Sequence, residues 1–418
     1  MEEGEEGGRQ GVTVHRVIGI FTARGMPALI AFTLAGFAGY GVLLPTAPLW
    51  AVEGGASAAG AGLVNGVLLL FTVLTQLFVP GMLRRFGWAR VMGAGMVFMG
   101  LPALGHLASN ELGPILVLSA VRGVGFGILT VTGSAAVAEL VEPARRGAAI
   151  GAYGLAVALP NLVLLPLGPW IAQTWGFGWV FALAALPLVG LPAVVRLARH
   201  LPAPPVKGRP MLDATGAASD EADDMGPARA GVLLLRPTVL LLGVTLCGGA
   251  LTTFAPQMTD NTVASTAALF AIGATAAVAR WGAGGLADRF GTYPFIWPLT
   301  LLTVVAMLLC AWVVSGDGSS GWAATGFVAA AALVGVSYGA LQNLTLVLAF
   351  SLVTRRHMQL ASAVWNVGFD AGTGLGSVLV GLIAAGYGFA TALAVAAAVS
   401  ACTIPLALIR HSRSGRRT

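Results

Sequence analysis

Charge is what this sequence has least of. Only 10% of its 418 residues are Asp, Glu, Lys or Arg, and Lys207 is the single lysine. A soluble domain carries about a quarter charged residues, and 57% of this chain is hydrophobic. One water-soluble core cannot bury that much apolar surface, which excludes a soluble enzyme, a nucleic-acid-binding domain and a disordered chain. Cysteine is scarce too. Cys247, Cys310 and Cys402 each lie inside an apolar run, so neither a disulfide framework nor a metal site is expected.

The long runs without charge predict the spans. No Asp, Glu, Lys or Arg occurs in 25–52, 54–83, 147–195, 237–259, 290–316, 318–354 or 371–409. A membrane helix needs about 20 apolar residues, so 147–195 must hold two. The runs predict twelve helices at 26–50, 58–82, 91–108, 114–138, 148–172, 178–198, 238–257, 263–286, 293–314, 322–350, 359–384 and 388–409. Arginine then sets the sidedness. With the N-terminus inside, the inner connections hold Arg84, Arg85, Arg90, Arg145, Arg146, Arg289, Arg355 and Arg356, and the tail adds Arg410 to Arg417. The outer connections carry only Glu53, Glu111, Asp260 and Asp317. The net charge of +6 thus reports topology rather than nucleic acid. Both termini are expected in the cytoplasm, in a bacterial inner membrane.

The chain divides into a polar tail (1–25), a six-helix bundle (26–199), a Pro- and acid-rich linker (200–236), a second bundle (237–410) and a basic tail (411–418). The two bundles repeat. Arg84-Arg85-Phe86-Gly87 returns as Asp288-Arg289-Phe290-Gly291, 204 positions later. Gly123-Val124-Gly125-Phe126-Gly127 returns as Gly335-Val336-Ser337-Tyr338-Gly339, 212 positions later. Two similar halves around a central loop are a transporter architecture with its site at the midplane.

The motifs resemble those of the major facilitator superfamily. Gly284-Gly285-Leu286-Ala287-Asp288-Arg289-Phe290-Gly291 is similar to that family's loop between the second and third helix of a half. Its first-half copy has Arg84 in place of the family's acid, which leaves only Asp288 for the cytoplasmic latch that the resemblance implies. Arg122 with Gly123, Gly125 and Gly127 resembles the helix 4 signature of proton-coupled members. Gly151, Gly154, Pro160, Pro166, Gly168 and Pro169 resemble the exporters' helix 5 signature. The resemblance implies an all-α membrane protein of two pseudo-symmetric bundles, of the drug- and metabolite-efflux branch. It works by alternating access, as a monomer in the lipid bilayer, with a small-molecule substrate and a proton gradient in place of any cofactor.

Ionisable groups inside a membrane are costly and mark function. Asp370, in predicted helix 11, is the candidate proton carrier, because low dielectric lets a carboxyl bind and release a proton near neutral pH. Its structural alternative is a hydrogen bond to Asn366 or a pair with an arginine. Arg122 keeps its charge and is expected either to counter a carboxylate or to hold helix 1 or 2. Arg280, Asp288, Arg289, Arg84 and Arg85 are expected at a cytoplasmic gate. Tyr40, Thr252, Thr253, Gln257, Tyr338, Gln342, Asn343, Trp365 and Asn366 are candidates for a mostly apolar cavity with a few polar anchors, against plain helix–helix hydrogen bonding. Such a cavity suits an amphipathic compound. The expected function is export by proton antiport. The alternatives are a proton-coupled importer and a non-transporting sensor or scaffold. Nothing in the sequence indicates an enzyme or a nucleic-acid partner.

Overall fold

A computed structural model of the chain describes residues 24–142, 146–202, 226–316, 321–354 and 357–409. Among them every regular element is a helix. In the first part α1 is Met26–Glu53, α2 Ala58–Phe86, α3 Trp88–Gly105, α4 Leu112–Leu140, α5 Arg146–Trp175 and α6 Phe177–Ala198, the last bent near Ala185 and Gly190. After the linker come α7 Pro227–Phe254, α8 Thr262–Phe290, α9 Tyr293–Ser315, α10 Gly321–Ser351, α11 Met358–Ala401 and α12 Ile404–Leu408. Among the described residues, ten helical stretches are long and apolar enough to cross a membrane. One of them, Met358–Leu408, is interrupted at Gly388. Residues 1–23, 203–225, Arg145, Asp317, Arg355, Arg356 and the tail from Arg410 lie outside the described residues, as do the side chains of Arg146 and Asp288.

α7 starts at Pro227, well before the expected 238. Gly226 is extended (ψ 156°) and Pro227 stands in the first turn, where its missing N–H costs nothing. The added turns bring Arg236 to the far end of the chain. Its guanidinium donates to the carbonyls of Leu406 (3.0 Å) and Ile409 (2.6 Å), while the Tyr293 hydroxyl donates to Leu408 (3.0 Å). These carbonyls end α12 and have no donor within the helix.

The internal repeat has a backbone signature. Gly87 (φ 79°, ψ 167°) and Gly291 (φ 78°, ψ 169°) share one conformation. Gly176 (φ 97°, ψ 158°) and Gly388 (φ 78°, ψ 164°) share it as well. The pairs are 204 and 212 positions apart. Positive φ with ψ near 160° is essentially closed to any residue with a Cβ. Each such glycine ends one helix and starts the next with almost no loop.

The glycine motifs at Gly123 and Gly335 mark matching helix crossings. A Cβ on Gly127 would meet the Thr72 carbonyl of α2 at 2.7 Å, and one on Gly339 would meet the Ala276 carbonyl of α8. Thr72 and Ala276 are themselves 204 positions apart. The repeat therefore conserves a contact in which two helix backbones touch, an approach that only small residues permit. α7 and α11 close in the same way, through Gly249, Gly372 and Gly376.

The chain forms two compact units. One holds residues up to Leu43 and Phe71–Ala217, the other Leu44–Leu70 and the chain from Ala218. The division runs through the middle of α1 and of α2. Trp175, Trp179, Trp312, Trp322 and Tyr387 are all exposed, and each lies beside a connection free of arginine. Amphipathic rings at helix ends suit the headgroup layer of a bilayer.

The space around Gly388 is open, so an added methyl group meets nothing there. Gly388→Ala should still lower stability by about 1–3 kcal/mol through backbone strain alone. Gly386→Ala, two residues earlier, in equally open space and without a positive φ, should be neutral or mildly stabilising. Thermal unfolding of the two variants checks this. An equal effect at both positions contradicts it.

Candidate functional site

Within the second unit, polar side chains gather where α8 crosses α10 and α11. α8 turns Ala276, Ala283, Gly284 and Ala287 toward α10, while Val278 and Trp281 are exposed on its outer face. Arg280 shares the inner stripe, one turn from Ala276 and Gly284. It lies ten residues before the end of α8 at Phe290, about 15 Å into the helix. Its guanidinium donates to Gln342 Oε1 (3.1 Å), and Asn343 Nδ2 donates to the Arg280 carbonyl (2.8 Å). Arg280 stays exposed although it faces protein rather than the outer surface.

Tyr338 has both this arginine and Asp370 as neighbours. Its phenol has Arg280, Thr373 and Asp370 as electrostatic and hydrogen-bonding neighbours. The ring is admitted by Gly248 of α7, where a Cβ would collide with it. Phe369 packs beside Tyr338 (centroids 6.1 Å apart) and stacks on Trp365 (5.7 Å), whose Nε1 donates to Thr345 Oγ1 (3.1 Å). Asp370 is buried at 5% exposure. The Asn366 amide does not turn toward it but donates to the Ser362 carbonyl (2.8 Å) on an exposed part of α11. The outcome is a carboxyl, a phenol, a guanidinium and an amide in one cluster with aromatic walls. Such a cluster can take up a proton at Asp370 and hold a polar group of a small molecule.

Arg122 has other surroundings. It is buried, at 1% exposure, in the first unit, and its Nη2 donates to the Gly39 carbonyl of α1 (3.0 Å). Beside it Tyr40 stacks on Phe126 with centroids 3.9 Å apart and planes 3° from parallel. Its Nε has no hydrogen-bond partner among the described residues. These contacts fit the helix-holding alternative for Arg122. Asp370 and Arg122 fall in different units.

The remaining candidates disperse. Thr252 returns its hydroxyl to its own helix at the Gly248 carbonyl (2.9 Å). Gln257 is half-buried in the 3-10 turn Ala255–Gln257. Arg84, Arg85 and Arg289 are exposed in the last turns of α2 and α8, away from Arg280 along the helix, where cations complement the helix dipole. Thr253 is buried in a hydrogen-bonded chain with Asn65 and Ser377. Asn65, Ser377, Thr373 and Gly248 were not expected at any site. Asn65 had one signal, since it is an amide inside an apolar run two helical turns from a helix end.

Burying Arg122 without a full set of partners is costly, and an apolar side chain of similar length removes that cost. The Gly39 carbonyl keeps its ordinary helical donor, the Leu43 N–H. Arg122→Met should therefore leave thermal stability unchanged or raise it. A fall of more than about 2 kcal/mol would show that the charge itself holds α1 to α4.

The chain matches the model of the Major Facilitator Superfamily over residues 28–328 and 250–418. It is 31% identical over 194 residues to an uncharacterized MFS-type transporter of Pseudomonas aeruginosa, covering 44% of this chain and 45% of that one. It is 28% identical over 118 residues to an uncharacterized MFS-type transporter of Mycobacterium tuberculosis, covering 28% and 20%. The matched segments thus span less than half the length of these relatives. The structure is similar to that of a bacterial homolog to the human lysosomal transporter Spinster, with TM-score 0.71 at 15% identity over 91% of this chain and 95% of that one. At that identity the likeness speaks for the fold alone. With a family match across most of its length, the chain belongs to the Major Facilitator Superfamily.

Proposed function

We propose that the protein is a proton-driven exporter of small amphipathic compounds, working by alternating access in a bacterial inner membrane. The observation that carries this reading is Asp370, a buried carboxyl in α11 that shares the Tyr338 phenol with Arg280. In this reading Gly388 separates two spans, and α3 counts as one. The chain then crosses the membrane twelve times, as two six-helix halves with both termini in the cytoplasm. The absence of arginine from the opposite connections supports that orientation.

The cycle runs through the second-unit cluster. A proton bound at Asp370 makes the site neutral apart from Arg280. Cargo entering from the cytoplasmic side packs against Tyr338, Phe369 and Trp365 and takes the amide of Gln342 as a polar anchor. Cargo and proton then exclude one another, since both need the ground between Tyr338 and Asp370. Arg280, tied to Gln342, keeps a fixed positive charge on the α8 side of the same cluster. Arg122 of α4 lies buried against α1 and takes no part in the exchange. Gate contacts at the cytoplasmic end fall to Arg84, Arg85, Asp288 and Arg289.

Dissipation of a pH gradient in inside-out vesicles tests the reading, with cationic, neutral and anionic amphipathic compounds in turn. Wild type should respond to a subset of them. Asp370→Asn should lose the response by at least about tenfold while remaining folded and inserted, as expected for loss of the group that carries the proton. A mutant that dissipates the gradient like wild type would remove Asp370 from the mechanism. Uptake driven by the gradient would reverse the direction.

A further inference from the structure

The internal repeat places a second polar group in the first unit. Matching positions lie 204 apart in α2 and α8, and 212 apart in α4 and α10 and in α5 and α11. Arg280 then corresponds to Gln76, Gln342 to Thr130, Thr345 to Gly133 and Trp365 to Tyr153. The hydrogen bond is kept although both residues change. Gln76 Nε2 donates to Thr130 Oγ1 at 3.3 Å, as Arg280 Nη1 donates to Gln342 Oε1 at 3.1 Å. The Tyr153 hydroxyl lies over Gly133, where a Cβ would meet it at 2.7 Å, as Trp365 Nε1 lies on Thr345 Oγ1 at 3.1 Å. Gly133 is one helical turn from Thr130, so these residues form one group within the first unit.

Two differences set its chemistry. The first is charge. Phe126 stands in place of Tyr338 and Ala158 in place of Asp370, and Gln76, Thr130 and Tyr153 are all neutral at neutral pH. The second is a missing partner. Thr345 gives Trp365 an acceptor, whereas Gly133 has no side chain to offer Tyr153. Among the described residues the Tyr153 hydroxyl has no hydrogen-bond partner. Tyr153 stands seven residues after the start of α5 at Arg146, about 10 Å along the helix. At such a depth a polar group needs a partner. Tyr153 and Thr130 are half-buried, and Ser134, next to Gly133 in α4, is exposed.

The hydrogens of this group are already assigned, apart from the phenol's. Thr130 gives its hydroxyl hydrogen to the Gly127 carbonyl (3.2 Å) and accepts from Gln76. Ser134 turns its hydrogen back to the carbonyls of Thr130 (3.0 Å) and Val131 (3.1 Å), so it offers lone pairs only. The phenol of Tyr153 offers both a donor and an acceptor. An ammonium would find no counter-charge in this group, and a carboxylate would find no cation. A hydroxyl or a carboxamide, which donates and accepts at once, matches what the phenol presents.

We propose that Tyr153, with the Gln76–Thr130 pair one turn away, is an uncharged binding site in the first unit for the hydroxyl or carboxamide of a small neutral organic molecule. The comparison with Arg280 and Trp365 rests on reading the second-unit cluster as a cargo site; the unpartnered phenol does not. Each unit then carries a site of the same plan, one with an arginine and a carboxyl, the other with neither. The polar groups of a cargo are sorted between them by charge.

Photolabelling tests this with two probes. One is para-benzoylbenzamide, a neutral carboxamide; the other is para-methylbenzophenone, which has the same photoreactive ketone and no amide. Full-length protein in liposomes is irradiated with each, and the adducts are mapped by mass spectrometry. The carboxamide should mark α4 and α5 around Tyr153. Tyr153→Phe, which removes one oxygen and keeps the ring, should lower those adducts by about fivefold, the loss of one neutral hydrogen bond. Adducts of para-methylbenzophenone at the same place, and of either probe in the second unit, should not change. Unchanged carboxamide labelling in Tyr153→Phe overturns the proposal. So does an equal fall for both probes, and so does a parallel fall in both units, which means general loosening. Carboxamide adducts confined to the first unit keep this site and sink the cargo reading of Tyr338 and Trp365, and adducts confined to the second unit do the reverse.

Discussion

A backbone carbonyl inside a membrane must find a donor, because no water is there to supply one. Much of this fold follows from that requirement. The chain has 22 prolines, several of them inside its helices, and each removes a donor from the carbonyl one turn earlier. At Pro48 the orphaned group is the Leu44 carbonyl, and it draws Asn65 to it. At the end of the last helix the orphans are the carbonyls of Leu406, Leu408 and Ile409, and they draw in Arg236 and Tyr293. Polar side chains that look anomalous in an apolar sequence are answers to local gaps in the backbone ladder.

The second constraint is distance. Where two helices carry glycine, their backbones come into contact, and a polar side chain on either one is brought within reach of a third helix. Gly248 admits the Tyr338 ring, which has both Arg280 and Asp370 as neighbours. Gly62 and Gly66 let α2 lie against α11, beside the line from Asn65 to Ser377. Smooth packing and the polar clusters are thus one design read at two scales.

The helices were legible because hydrocarbon thickness imposes their length and composition. The repeat was legible because steric demands on Gly87, Gly291, Gly127 and Gly339 leave no choice of residue. Tyr338, Gln342, Asn343, Trp365 and Asp370 could be grouped from spacing along α10 and α11. The rest depends on partners far apart in the chain. Arg280 was expected at the cytoplasmic gate from its spacing to Asp288; its bond to Gln342 of α10 could not be read from that spacing. Asn366 was one turn from Asp370, yet spacing alone does not say which way an amide points. Asn65 and Thr253 are 188 residues apart, and no local pattern joins them.

The cap on the last helix has a consequence for how the protein is made. Arg236 enters the membrane boundary with α7, and its carbonyl partners lie 170 and 173 residues further along the chain. At about 5–20 residues per second a ribosome needs tens of seconds or less to reach them. During that interval a guanidinium waits at the lipid surface for acceptors that do not yet exist. A chain that stops short of Leu406 lacks both acceptors, so Arg236 caps the last helix only once nearly the whole chain has been made.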